Sequence, residues 1–333
     1  MFRKKERVKG AAGMSKVYII MYHYVRRIRG SRYPGIKGLE TEDFVKQLDF
    51  LTENDFRFIR TEELIASYHE GYKLPERAVL LTFDDAYSDH YTNVFPILKE
   101  RGIQGSFFVP GEILDQRNVL PVNKIHFLLA AEADHHMLKH KLLDILDYFR
   151  GQNTDLPADE LLLAEFEKPG KYDDKETVFI KKMLQYALPE ALRDIILARL
   201  FEEFVGVKEE ALWDELYLKD YQMRLMKKSG MFIGAHGYHH YHLGEAPREE
   251  MRKDIEKGLD VLGDCIDRAS WVMNYPYGSY NDDVEETVRS LGARMAITTA
   301  VGINDTEKND CFRICRLNTN DFPPLSSRFR EYR

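Results

Sequence analysis

The chain has 333 residues, more than an average domain but within the reach of one large α/β barrel or two smaller domains. Hydrophobic residues make up 44% and charged residues 31%, which excludes fibrous, disordered and small disulfide-stapled folds. A formal net charge of −7 argues against a general nucleic-acid binder, so no nucleic-acid partner is expected.

Val17 to Tyr22 is a compact apolar run that ends in His23, Tyr24 and Val25, the pattern of a buried strand delivering polar side chains at its end. A basic loop with Arg26, Arg27, Arg29 and Arg32 follows, and its arginine forks suit an anionic substrate group if the loop is more than a solvated surface. Thr41 is a plausible N-cap for a helix with Phe44, Leu48 and Leu51 on one face. Ala78–Phe83 predicts a second buried strand, 93–101 a helix stopped by Gly102, and Gly105–Val109 a third strand. Strand, helix, strand at this spacing implies parallel pairing.

From Val122 to Lys228 apolar residues recur at helical spacing, as in Leu142, Leu143, Leu146 and Phe149, and strand signals vanish. Glycines and prolines punctuate this stretch into four or five helices, an inserted helical subdomain whose position after a strand's C-terminal end suits a wall or lid. Trp213, Tyr217 and Tyr221 read as core residues of that insert. The α/β rhythm then resumes: a strand at 231–235, a helix at 248–266, a strand at 271–273, a helix at 282–291 closed by Gly292, and strands at 295–299 and 312–317.

Cys265, Cys311 and Cys315 are too few and too scattered for a disulfide framework and read as reduced, buried thiols. The charged start Met1–Lys5 precedes an apolar run too short for a signal peptide. No stretch approaches the roughly 20 apolar residues of a transmembrane helix, so a cytoplasmic location is expected.

Asp84 and Asp85 follow the strand 78–83 at its C-terminal edge, where parallel α/β sheets place their active sites. Adjacent carboxylates repel, and a metal or a proton relieves them; the plainer alternative is a polar strand-to-helix turn. His236, His239, His240 and His242 gather after another short strand. Asp85 with His236 and His240 would supply one carboxylate and two imidazoles, the open ligand set of a catalytic zinc.

Thr82-Phe83-Asp84-Asp85, His236-x-x-x-His240-x-x-Leu243 and Tyr275-Pro276-Tyr277-Gly278, in that order, resemble the motifs of the polysaccharide deacetylase family, carbohydrate esterase family 4 with the NodB-homology fold. The resemblance implies an α/β fold, a deformed (β/α) barrel with a large helical insertion. Its boundaries fall at 16–121 and 229–323 for the barrel, 122–228 for the insert, and 1–15 and 324–333 for the tails. It also implies metal-dependent hydrolysis of an N-acetyl group on a sugar, with an N-acylated sugar or glycan as partner and a divalent metal, Zn2+ first, as cofactor. Asp85, His236 and His240 match the metal ligands and Asp84 the general base. Tyr277 matches the residue whose backbone N–H helps hold the oxyanion, and Asn274 and Pro276 lie with it on the substrate-binding motif.

Four departures qualify the match. Ala86 stands where the family has Gly, Gly237 where it has Ser or Thr, and Asn274 where many members carry the arginine that orients the base. The C-terminal strand 312–317 lacks Leu-x-His, the usual source of the general acid, and His23 in Met21-Tyr22-His23 resembles that motif moved to the N-terminus; its alternative is a histidine satisfied at the barrel rim. Spacing assigns no role to Tyr87, Asp89, His90, Tyr238, His239 or His242. Two alternatives stay open: an amidase or deformylase acting on another C–N bond, and a non-catalytic carbohydrate-binding relative.

Overall fold

Residues 16–152, 155–170 and 173–332 are described by the structure, a computed structural model; the tail expected at residues 1–15 lies outside them. In chain order β1 (Lys16–Tyr22) is followed by α1 (Thr41–Glu53), β2 (Arg57–Phe58), α2 (Thr61–Glu70) and β3 (Ala78–Phe83). A π-helical turn (His90–Val94) leads into α3 (Phe95–Glu100), β4 (Gly105–Val109) and α4 (Glu112–Asp115). Six helices come next among the described residues: α5 (Pro121–Ala131), α6 (His135–Arg150), α7 (Asp159–Phe166), α8 (Lys175–Lys182), α9 (Glu190–Phe204) and α10 (Glu209–Leu216). The chain closes with α11 (Asp220–Lys228), β5 (Phe232–Ala235), α12 (Arg248–Leu262), β6 (Val272–Asn274), α13 (Asp282–Ser290), β7 (Met295–Val301), β8 (Asn304–Asp305) and β9 (Ile314–Asn318).

Among the described residues the strands run in the order β2-β3-β4-β5-β6-β7-β9-β1-β8, and an added β1–β3 pairing closes seven of them into a ring. Every pairing within that ring is parallel, as the strand-helix-strand rhythm implied. β2 adds alongside β3, and β8 pairs antiparallel with β1, both outside the ring. Val17, Ile19, Ala78, Leu80, Phe108, Phe232, Val272, Met295, Ile297 and Ile314 share one buried cluster. A cluster drawing on all seven strands is the lumen of the barrel, and the alternation of each strand sends these residues inward.

Leu64 and Ile65 of α2, with Ile59 and Leu74, join that cluster, whose outermost strand members Val17 and Ala78 lie at strand starts, so α2 plugs the N-terminal end of the barrel. Its short amphipathic pattern was not legible beside the stronger strand signals. The opposite end is left for polar side chains. Gly234 in β5 permits the filling of the lumen, since a Cβ there would stand 2.4 Å from the Phe108 ring.

The chain divides into two compact units. One comprises residues up to Val25, Thr41–Asp115 and Leu218–Arg333; the other comprises Arg26–Glu40 and Gln116–Tyr217. The helical unit therefore stops short of the expected end at 228. α11 belongs with the barrel because Met223 and Met226 bury their side chains and the Leu218 N–H donates to the Ala86 carbonyl.

Within the helical unit, Phe127, Leu142, Leu146, Phe179, Ile196 and Leu200 form part of the core, and Asp134 and Asp174 cap α6 and α8 by accepting from the N–H groups of Met137 and Thr177. The arginine loop belongs to this unit: Tyr33 packs edge-on against Phe127 at 4.9 Å, and Glu40 accepts from the N–H groups of Ile28 and Arg29. Trp213 and Tyr217 are buried as read from spacing, whereas Tyr221, on α11, is 65% exposed. Among the cysteines only Cys265 is buried; Cys311, before β9, packs half-buried against the lumen cluster, and Cys315, in β9 and out of phase with lumen-facing Ile314, is half-buried as well.

Candidate active site at the barrel rim

The C-terminal ends of β3 and β5 deliver the two motif clusters to one place. Asp85 Oδ1 lies 3.5 Å from His236 Nε2 and 3.3 Å from His240 Nε2, and all three residues are buried. Their ligand atoms fall within 4.8 Å of one another, and this is the one such cluster found among the described residues. His236 Nδ1 is 2.6 Å from the Asn274 carbonyl oxygen, which can only accept, so Nδ1 carries the proton and Nε2 presents a lone pair. The Tyr87 hydroxyl donates to Asp85 Oδ2 at 2.7 Å and fixes the carboxylate plane. Asp85 Oδ1 has no hydrogen-bond partner despite its burial. One orphaned carboxylate oxygen facing two imidazole nitrogens is the donor set a divalent cation satisfies, and the residues present fit such an ion.

Asp84 points into the lumen, below the rim. Arg316 Nη1 of β9 stands 2.8 Å from both its carboxylate oxygens, while Arg316 Nε donates to the Thr298 carbonyl. His23 Nε2 is 3.8 Å from Asp84 Oδ2, with its side chain 41% exposed. Burial alone would raise the Asp84 carboxyl, but the Arg316 guanidinium, helped by His23 and His236, outweighs it and holds Asp84 below the usual carboxylate range. Burial opposes ionisation of Asp85 too, and the two histidines beside it hold its carboxyl well below that range.

The sequence left the base-orienting arginine unassigned because Asn274 replaces it in the third motif; the structure supplies the cation from the opposite side of the closed sheet. Of the two arginines in the stretch 312–317, Arg316 alone is in phase with lumen-facing Ile314, and this was the available signal, since a buried guanidinium requires an acid. Asn274 itself is buried, and its carbonyl, not its amide, makes the contact with His236. Pro276 is buried and Tyr277 lies against the ligand loop, its ring 4.7 Å from His240 and stacked at 4.3 Å on His242.

The missing Ser/Thr at Gly237 is also replaced. Asp254 of α12 accepts from the N–H groups of Tyr238 and His239 at 2.9 and 3.0 Å and from His239 Nδ1 at 2.7 Å. Gly237 has φ 69, and a Cβ on it would approach Asp254 Oδ2 to 3.0 Å, so a larger residue is excluded by the same carboxylate. Gly258, one turn along α12, lets the helix close on the Gly237 backbone, where a Cβ would stand 2.7 Å from its oxygen.

Among the described residues, six non-glycine positions have positive φ, and four of them, Asp85, Ala86, His240 and Tyr277, are at this site. Such strain persists only where surrounding contacts over-determine the backbone. Ala86, at φ 52, occupies a conformation that glycine adopts freely, which gives the family's usual Gly a physical reason and this departure a cost.

A family model described as polysaccharide deacetylase matches residues 71–142 and 204–296. The poly-beta-1,6-N-acetyl-D-glucosamine N-deacetylase of Escherichia coli (strain K12) is 39% identical over 62 residues, covering 19% of this chain and 9% of that protein. The enzyme of that name from Staphylococcus epidermidis is 31% identical over 98 residues, covering 26% of this chain and 34% of that one. The chain thus spans about a third or less of these relatives' length. Among solved structures, the Streptococcus pyogenes deacetylase PplD, determined with acetate, superposes with a TM-score of 0.58 at 17% identity, covering 94% of this chain and 95% of that one, a likeness of fold. With the three ordered motifs, the seven-stranded parallel barrel and the family match in agreement, the chain belongs to the polysaccharide deacetylase family.

Proposed function

We propose that this chain is a metal-dependent N-deacetylase that hydrolyses the acetamide of an N-acetylated sugar or glycan during surface-polysaccharide synthesis. The observation that carries the reading is the juxtaposition of a buried Asp-His-His set with a second carboxylate, Asp84, kept ionised by a buried arginine. A binding module has no use for a spare base held in its ionised form.

Asp85, His236 and His240 would hold the ion, with Zn2+ the first choice for one carboxylate and two imidazoles. When bound there, a divalent ion polarises the amide carbonyl and acidifies water. Asp84 accepts the proton of the attacking water, and Arg316 keeps that carboxylate ready for it. His23 donates a proton to the departing amine, and its partial exposure leaves Nε2 open to substrate. The Tyr277 backbone N–H, set by its left-handed conformation, serves the oxyanion, with Pro276 and Asn274 shaping the wall beneath it. No helix among the described residues is long and apolar enough to cross a membrane, and the sequence favours a cytoplasmic enzyme.

The test is to purify the protein, measure bound metal, and assay acetate and formate release from N-acylated monosaccharides, nucleotide sugars and N-acetylglucosamine oligomers. Acetate release that follows metal content supports the reading. Bound metal with no acyl release from any of these overturns it in favour of the carbohydrate-binding alternative, and formate release favours the deformylase.

A further inference from the structure

The backbone that carries His23 is held from one side by a single helical turn. β1 ends at Tyr22, and the last bond of its ladder is the Asp84 N–H to the Tyr22 carbonyl at 3.0 Å. Residues 23–25 then run on past the sheet, buried at Tyr24 and Val25, where unmet peptide groups are costly. Three side chains meet them. His90 Nε2 lies 2.8 Å from the His23 carbonyl, Asp89 Oδ2 accepts from the Val25 N–H at 2.9 Å, and Asn93 Nδ2 donates to the Val25 carbonyl at 2.9 Å. Tyr24 between them stacks on Tyr87 with ring centroids 4.0 Å apart.

His90 and Asn93 belong to the π-helical turn His90–Val94, and Asp89 is the residue before it. A π turn spends an extra residue to redirect side chains and recurs at functional sites. The carbonyl of His23 can only accept, so His90 carries its proton on Nε2; complete burial depresses its basicity and keeps it a neutral, one-sided donor. This turn is also tied to the metal-site strand end, because it follows Asp84, Asp85 and Tyr87 within a few residues.

We propose that Asp89, His90 and Asn93 are positioning residues for the general acid, a clamp that sets the height of His23 above Asp84. The inference rests on the general-acid reading of His23. It assigns a purpose to side chains that lie too deep to touch a substrate: Asp89 is 3% exposed and His90 wholly buried. A side chain half in solvent, as that of His23 is, depends on its backbone for placement, and an error of about 1 Å in such a group costs up to ~10²-fold.

The experiment is a double-mutant cycle on the metal-loaded protein with two probes, an N-acetyl-D-glucosamine oligomer and 4-nitrophenyl acetate. The amine leaving group of the first requires protonation, whereas nitrophenolate departs unaided, so only the first reports on the acid. His90→Ala should lower kcat for acetate release from the oligomer by roughly 10- to 100-fold, with metal content, KM and nitrophenyl ester hydrolysis little changed. His90→Gln, whose Nε2 can donate to the same carbonyl, should recover most of the loss. In a His23→Ala background the further loss on adding His90→Ala should shrink to less than twofold. Asn93→Ala, which removes one of the three bonds from a half-buried position, gives the same readout if His90→Ala does not fold. A loss from either variant that persists undiminished without His23, or that falls equally on both probes, overturns the clamp while leaving His23 as the acid. Wild-type turnover in His23→Ala alone overturns the general-acid reading and the clamp together.

Discussion

Arg316 Nη1 lies equidistant, at 2.8 Å, from Oδ1 and Oδ2 of Asp84, and both side chains are almost wholly shielded from water. Asp84, the proposed base, is thus neutralised by a cation 232 residues away in the chain.

Replacing that cation tests its role. In Arg316→Met, burial of Asp84 loses its main opponent, leaving only His23 and His236 against it, and its carboxyl rises from below the usual range. The base is then protonated at pH values where the native enzyme is fully active, so the acid limb of kcat/KM moves to higher pH with bound metal unchanged. Arg316→Lys, which keeps the charge but not the planar contact, should move it less. An acid limb in the same place for Arg316→Met would remove the arginine from the mechanism. Breaking the buried pair also costs about 3–5 kcal/mol of stability, to be read from thermal unfolding.

The division between ligands and base predicts opposite signatures. Asp85→Ala, His236→Ala and His240→Ala should each lose the metal on dialysis, measured by elemental analysis. Asp84→Asn should retain it and fall in turnover by ~10² or more. If Asp84→Asn loses metal as readily as Asp85→Ala, Asp84 is a ligand and the roles stand reversed.

Asp254 makes no hydrogen bond to Asp85, His236 or His240, yet it holds the loop that carries His240. Asp254→Ala leaves two backbone N–H groups without their acceptor, and metal affinity should weaken about 10- to 100-fold, with turnover restored at saturating metal. Titration with a competing chelator distinguishes this from a defect in chemistry, which would persist at saturation.

Ala86→Gly should stabilise the protein. Occupying the left-handed region costs alanine roughly 1–2 kcal/mol that glycine does not bear, partly offset by the greater freedom of the unfolded glycine chain, ~0.5–1 kcal/mol. A gain of about 0.5–1 kcal/mol, a rise in Tm of ~1–3 °C, is expected with kinetics unchanged. A lower Tm would show that the strained backbone at 86 is relieved by some other contact.

The barrel strands and the candidate metal set were legible because their signals are local: an apolar run, then acids or histidines at its end. Asp84, Asp85, His236 and His240 could be placed at strand termini without knowing which strands adjoin. The pairing of Arg316 with Asp84, the role of Asp254 and the turn holding residues 23–25 were illegible for the converse reason, since each acts across ring closure or helix packing that no sequence period encodes. The helical stretch showed its type but not its limits. α11 reads as one more insert helix until the burial of Met223 and Met226 in the barrel unit is known, and the basic loop 26–40 reads as a barrel loop until Tyr33 is seen on Phe127.

The seam where β9 meets β1 and β1 meets β3 separates two jobs. The arc β3-β4-β5 carries Asp85, His236 and His240; the arc β9-β1-β3 carries Arg316, His23 and Asp84. They share only the adjacent pair Asp84-Asp85. On the roles proposed above, mutational drift on the seam side would silence turnover while the candidate metal site on the other side survives intact. A preparation that binds a divalent metal stoichiometrically would for that reason be no proof of a working enzyme, and the register of the first and last strands is where loss of activity would be written first.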